Sequence, residues 1–443
     1  MNAGDREALA KRALARSRAD QTEVRVSSSD ESLTRFTHGI SNQNVAAADV
    51  AIAVRAIVDG RTGVATANDA SDASIDALLD RAREMASFAP RDDLQPALPA
   101  GGPAPAPAGC YVNATAAADP RARASICDAI VTRAERFGYW CAGFVSSASG
   151  GTTIANSSGA LASFDGTDAQ VNVKVTAPDS TGFAERYSTD IADLAGDAVG
   201  ERAVEKARAS AHPREVEPGT WTVILEPPAF GELFAYLLGH FSAQNFSDGS
   251  SFCSQGLDRT YFDERVNVSD DYANPLAPSM PFDYEGQPKM RVPLVEAGVV
   301  RNIVTDSYYA KKLDRPNTGH ALPAPNTFGP QPLNIVIGTG TRSTGELIAG
   351  TKRGLLISRF WYIRPVDQKR AIVTGMTRDG TFLIEDGKIT GGVRNMRFNQ
   401  SIVEALGSVE FSNVQQRTGQ YSYSLVVPTA KIEKFTFTST TEF

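Results

Sequence analysis

Residues 48–58, ADVAIAVRAIV, alternate apolar with polar or small side chains, the period of a strand with one covered face. The pattern before it predicts a charged amphipathic helix over about 5–19, then the strand segments EVRVS (23–27) and LTRFTHG (33–39). After it come an Asp59-Gly60 turn, TGVATA (62–67) and the helix ASIDALLDRAREMA (73–86). A similar order returns further on. Asp119-Pro120 supplies an N-cap and an N1 proline to a helix that ends at Gly138. The segments AGFVSSA (142–148), AQVNVKVTA (169–177) and TGFAERY (181–187) then lead into a helix over 191–209.

Setting Thr62-Gly63-Val64-Ala65 over Thr181-Gly182-Phe183-Ala184 gives an offset of 119. That offset also carries the first helix onto the third, EVRV onto AGFV and VAIAVR onto AQVNVK. The arrangement suggests an internal duplication, with coincidental α+β layout as the other reading. Between the copies lies LQPALPAGGPAPAPAG, a Pro/Ala-rich linker near 93–109 that is expected to be exposed and semi-extended.

A second domain is expected from 217 to 443, after an N-terminal domain over 1–216. It opens with the strand TWTVILEP and with AFGELFAYLLGHFSAQNF (229–246), read as one helix. Mostly strands follow: a hairpin turning at Ala297-Gly298, a strand in LNIVIGTG, and two Asp-Gly turns in TRDGTFLIEDGKITGG. Short helices at SYYAKKL and TGELIAG interrupt them. The predicted class is α+β: an N-terminal α/β domain followed by a C-terminal domain rich in antiparallel strands.

A formal charge of −7 and the lack of arginine-rich runs argue against nucleic-acid binding. No apolar run is long enough to span a bilayer, and the charged N-terminus is not a secretory signal. Cys110, Cys127, Cys141 and Cys253 are widely and irregularly spaced, as reduced, packed thiols would be, so a cytoplasmic location is expected.

Several strings resemble the TldD/PmbA family in its PmbA (TldE) branch. They are EVRVS, TGVATANDAS, PFDYEGQPKMRVPLVEAGVVRNIVTDSYYAKK, NTGHALP, RGLLISRFWYIR, TGMTRDGTFLIEDGKI and VRNMRFNQS, in this order along nearly the whole chain. The resemblance implies a fold shared with TldD, whose HExxxH helix and a distant cysteine hold a catalytic metal. On this chain the motif places Ala235 at the first histidine and Tyr236 at the glutamate, and only His240 matches. No cysteine follows Cys253. Alanine cannot ligate, and a phenol of ordinary pKa near 10 is a poor proton acceptor at neutral pH. The expectation is no catalytic residue and no metal in this chain, with zinc held by a TldD-like partner subunit. Such a complex would cleave unstructured peptides or peptidic natural-product precursors.

Glu232, Tyr236 and His240 fall on one face of a continuous helix, but Glu232 and His240 would stand about 12 Å apart along it, too far to share an ion. A buried or helix-end role is expected for His240. His38, His212 and His320 are isolated, and no GxSxG elbow accompanies them. Asp283, Glu285 and Gly286 form a strand-end turn in one reading. In another they and His320 line a substrate groove, or Asp283 and Glu285 join Asp270 and Asp271 around a hard cation. Arg359–Pro365, RFWYIRP, concentrates aromatics between arginines, as a partner surface or as a strand covered on both faces. Two rival functions remain at this stage: a stand-alone hydrolase or transferase centred on Asp283, Glu285 and His320, and a homo-oligomeric protein that binds peptides or metabolites.

Overall fold

The structure is a computed structural model, and it describes residues 1–420 and 423–441. The first helix, α1 (Ala3–Arg16), starts where the Asn2 side chain accepts from the Asp5 N–H. Strands β1 (Gln21–Thr37), β2 (Ile40–Val58) and β3 (Arg61–Ala67) lead to α2 (Asp72–Phe88). The two segments EVRVS and LTRFTHG are one continuous strand, because the serines and acids between them pair on both sides. His38 and Gly39, both at positive φ, turn that strand into β2.

The second set is α3 (Asn113–Ala116), α4 (Pro120–Glu135), β4 (Trp140–Asn156), β5 (Leu161–Thr176), β6 (Thr181–Ser188) and α5 (Gly196–Ala209). All six strands form one antiparallel sheet in the order β3-β2-β1-β4-β5-β6, so the two triplets meet back to back at β1 and β4. The 119-residue offset holds in the packing. Ile52, Val54 and Ala56 are buried in one half, and Val171, Val173 and Val175 in the other. Gly63 lies so close to α2 that a Cβ would come 2.1 Å from the Ala82 carbonyl, and Gly182 stands 2.1 Å from that of Ala203 in α5 by the same measure. The linker has no regular structure. It is less exposed than expected, since Leu98 is buried and hydrogen-bonds to Gln21 and the Pro99 carbonyl accepts from Asn156.

The C-terminal half begins with β7 (Gly219–Leu225), α6 (Pro227–Phe234) and α7 (Ala243–Ser247). Four short strands follow: β8 (Arg259–Thr260), β9 (Val268–Asp270), β10 (Val292–Glu296) and β11 (Val299–Val300). Then come α8 (Ser307–Leu313), β12 (Asn334–Ile337), α9 (Thr344–Ala349), β13 (Arg353–Asp367), β14 (Ile372–Glu385), β15 (Lys388–Gly392), β16 (Met396–Ser401), α10 (Ile402–Ala405), β17 (Val409–Gln420) and β18 (Tyr423–Thr440). They share one large sheet, antiparallel except where β7 meets β13 and β12 meets β18. Ala297-Gly298 makes the expected hairpin turn and Asp386-Gly387 another. Asp379-Gly380 is not a turn. Both residues take positive φ inside the unbroken β14, where the register against β13 shifts, which makes them a bulge.

The four cysteines are free and buried. Among the described residues no helix is long and apolar enough to cross a membrane.

Candidate functional site

The stretch read as one helix over 229–246 is three pieces. Pro227 opens α6, residues 235–241 tighten into a 3₁₀ segment, and Ser242 caps α7 by accepting from the Gln244 N–H. With three residues per turn in the middle piece, the i, i+4, i+8 stripe of Glu232, Tyr236 and His240 is lost. Each goes to different surroundings. The Tyr236 hydroxyl donates to the Ile363 carbonyl at 2.7 Å, tying the segment to β13. His240 is buried; its Nδ1 accepts from the Phe252 N–H at 3.2 Å and its ring lies against Phe252. Desolvation lowers its pKa to about 4, so the ring is neutral at physiological pH and carries no charge for a helix dipole.

These residues do not fit a zinc ion of the HExxxH type. Ala235 has no donor atom, the Tyr236 hydroxyl is committed to β13, and the His240 Nδ1 accepts from the backbone, which leaves the neutral ring's proton on Nε2. Among the described residues no three His, Cys, Asp or Glu side chains converge as a metal site.

Glu232 instead faces a cleft of about 520 Å³ between the six-stranded sheet and the C-terminal half. Strands β4 to β6 build one wall, with Phe144, Phe183, Glu185 and Tyr187; α6, β13 and the β17–β18 hairpin build the other, with Glu232, Arg359, Trp361 and Thr418. Gly231 lets the hairpin lie on the helix, since a Cβ there would meet the Thr418 methyl at 2.3 Å. Burial pushes the Glu232 carboxyl up to about 7; Arg359 opposes this and the charge of Glu185 adds to it. Glu185 is also raised by burial, against hydrogen bonds from the Thr418 hydroxyl at 3.1 Å and the Tyr187 hydroxyl at 3.4 Å. Gln170 donates to that same Tyr187 oxygen at 2.9 Å.

Arg359 and Lys174 line the cleft too, and Arg359 acts on both Glu232 and Glu185. Asp379, buried in the β14 bulge, lies 3.7 Å from Arg359, 3.9 Å from Lys174 and 3.9 Å from Arg378. Arg417 pairs with Asp168 at 2.7 Å. Trp361 stands at the wall with Arg359 and Arg378 about 5 Å from its ring centroid. In a regular strand Phe360 and Tyr362 would share a face. A register shift between Trp361 and Arg364, with Tyr362 at φ +57°, buries Phe360 and Ile363 and exposes Trp361 and Tyr362. One face of RFWYIRP is therefore core and the other is open.

The residues expected to line a groove sit elsewhere. Asp283, Glu285 and Gly286 are buried in the seam between the halves. Asp283 accepts from the backbone N–H groups of Glu285, Gln287 and Ala321. Burial and the charge of Glu285 push its carboxyl upward against those three donors. Glu285 pairs with Arg55 at 3.1 Å, and Arg55 pairs with Glu23 at 2.5 Å, which joins the halves. Gly286, at φ +80°, packs on Ile154 and Ala160. His320 is buried with Nε2 3.2 Å from Asp270 and Nδ1 3.0 Å from the Thr318 hydroxyl. Asp270 accepts from the Asn334 N–H and Asp271 pairs with Arg291, and among the described residues these carboxylates do not converge with Asp283 and Glu285 around a cation.

Of the cleft's own residues, sequence reasoning singled out Arg359 and Trp361, within RFWYIRP, but missed Glu185, Tyr187 and Thr418, which come from strands of both halves that no local spacing links. Glu232 entered only as a possible ligand.

Sequence models of the PmbA/TldA metallopeptidase match three stretches: domain 1 over residues 22–86, the central domain over 109–211 and the C-terminal domain over 218–439. A zinc metalloprotease TldD homolog of Saccharolobus solfataricus is 25% identical over 205 residues, which span 43% of each chain. The fold matches the crystal structure of TldE from Thermococcus kodakarensis with TM-score 0.88 and 21% identity, covering 98% of this chain and 99% of that one. A putative modulator of a DNA gyrase from Thermotoga maritima gives TM-score 0.88 at 17% identity, covering 98% and 100%. With models of all three domains matched in order, the chain belongs to the TldD/PmbA family.

Proposed function

We propose that this chain is the non-catalytic, TldE-like subunit of a heteromeric TldD/TldE-type zinc metallopeptidase. The observation that carries the reading lies at the motif positions: Ala235 lacks a donor, Tyr236 is bonded to β13 and His240 to Phe252, while the family's fold is kept along the chain. The partner subunit would hold the zinc and cleave unstructured peptides or peptidic precursors in the cytoplasm. This chain would close the chamber, help to admit extended substrate and support the partner's fold.

The test is to purify the chain alone and after co-expression with a TldD-like protein, then measure mass in solution and zinc per complex. The expected result is a mixed oligomer with zinc only when the partner is present. Stoichiometric zinc in the chain alone would refute the reading.

A further inference from the structure

We propose that the open half of β2, from Ile40 to Ala51, is an interface that pairs antiparallel with the same strand of a second copy of this chain, joining two six-stranded sheets into one. This goes beyond the subunit role proposed above and does not depend on it. β1 runs beside β2 over its whole length, whereas β3 pairs only with Ile52–Val58. Among the described residues no strand lies on the outer side of the remainder. Its faces are uncovered too. Ile52, Val54 and Ala56 are buried where β3 is present, but residues 40–49 are exposed on both faces, Ile40 to 65%.

The two copies of the internal repeat treat this edge differently. The 119-residue offset carries Ala48 onto Thr167 in β5, where β6 likewise pairs only with Ala169–Thr176. There the linker closes the gap: the Thr167 N–H donates to the Cys110 carbonyl at 2.8 Å, and its hydroxyl accepts from the Val112 N–H at 3.0 Å. Among the described residues no segment does the same for Ala48.

The free edge is built to pair with itself. In β1 the even-numbered residues face β4, since Thr22 accepts from Ser157 and His38 donates to Cys141, so the odd-numbered ones exchange bonds with odd-numbered residues of β2. Asn44, Ala46 and Ala48 therefore turn their N–H and C=O outward. The Val50 N–H, in the same row, takes the Asp49 side chain at 2.8 Å. Neither lysine nor proline, the usual guards of a free edge, occurs from Ile40 to Ala51, and Asp49 is the one charge. Two copies related by a twofold axis at Ala46, the midpoint of Ser41–Ala51, set Asn44 opposite Ala48, Val45 opposite Ala47 and Gln43 opposite Asp49. No like charges meet, and the pairing stops where β3 begins at Ile52.

The experiment uses the full chain alone. Light scattering on a sizing column at about 50 μM should read twice the chain's 47.2 kDa. Ala46→Lys with Ala48→Lys keeps the bonds to β1 and puts like charges across the seam; it should read one chain, with an unchanged thermal melt. The four native cysteines are buried, so a single-cysteine scan from Asn44 to Ala48 reports the seam directly. Ala46→Cys should cross-link best under diamide, because bonded partners stand about 5.5 Å apart at Cα, within disulfide reach. The exposed control Phe88→Cys should not. A single-chain mass for the parent, a dimer that survives the two lysines, or no cross-link at any scanned position would overturn the proposal. A single-chain parent that binds a TldD-like subunit, and loses it with the two lysines, would overturn it too and give the edge to that subunit. Failure to pair with a TldD-like subunit is read separately, by co-purification.

Discussion

Replacing Glu232 by glutamine keeps the side chain's shape and fixes it in the neutral state that its surroundings favour. In the fold the carboxyl titrates near 7 rather than 4.5. At about 1.36 kcal/mol per pKa unit, this difference bounds the cost of ionising it in place at about 3.4 kcal/mol. The side chain faces an open cleft, so solvent screening reduces the figure to about 1–2 kcal/mol. The sign follows from the raised value. The stability associated with the neutral form is fully present below the unfolded pKa and is lost as pH rises through about 7. Glu232→Gln should therefore unfold close to the parent chain at pH 5 and at higher temperature above pH 8. For a unit the size of residues 218–439, 1–2 kcal/mol corresponds to about 2–8 °C. Differential scanning calorimetry of both proteins from pH 5 to 8.5 reads the effect. A stability difference that does not change with pH, or a parent chain that is the more stable one at pH 8, would show that burial does not raise Glu232.

Arg55→Met strands the Glu23 and Glu285 carboxylates in the seam and should cost about 3–5 kcal/mol, seen as a lower urea midpoint and faster proteolysis between the halves. Gly63→Ala and Gly182→Ala each push a methyl into a helix backbone and should each cost about 1–3 kcal/mol; similar losses in thermal melts would confirm that the two positions are equivalent. The double variant Ala235→His, Tyr236→Glu should stay substoichiometric in zinc by elemental analysis. It breaks the tie to Ile363 and leaves His240 bonded to Phe252 in a 3₁₀ segment. Full zinc loading would mean that only two side chains separate this chain from a metal site.

Local patterns in the sequence carried the class, the repeat and most turns, because burial alternation and positive-φ residues are encoded within a few positions. Gly63 and Gly182 marked the repeat as soon as they were aligned, and the structure supplies the reason in their contact with α2 and α5. Bulges were harder to read. Asp379-Gly380 has the composition of a hairpin turn, yet β14 continues through it, paired with β13 both before and after the bulge. The shift near Tyr362 changed which aromatics face out. The 3₁₀ segment after Phe234 has no breaker at its start, and its effect on the Glu232–Tyr236–His240 stripe appears only in three dimensions. Asp283 and Glu285 drew notice as acids, but their roles depend on Arg55 and on the backbone of Ala321, 230 and 38 positions away from them respectively.

The central claim is that this chain supplies no catalytic metal but completes a partner that does. The most direct measurement fixes the concentration of a purified TldD-like subunit and follows cleavage of an unstructured peptide as this chain is added. The account predicts no cleavage by this chain alone and a rise in rate that saturates at a fixed subunit ratio. Cleavage by this chain alone, or a partner whose rate is indifferent to the addition, would contradict it.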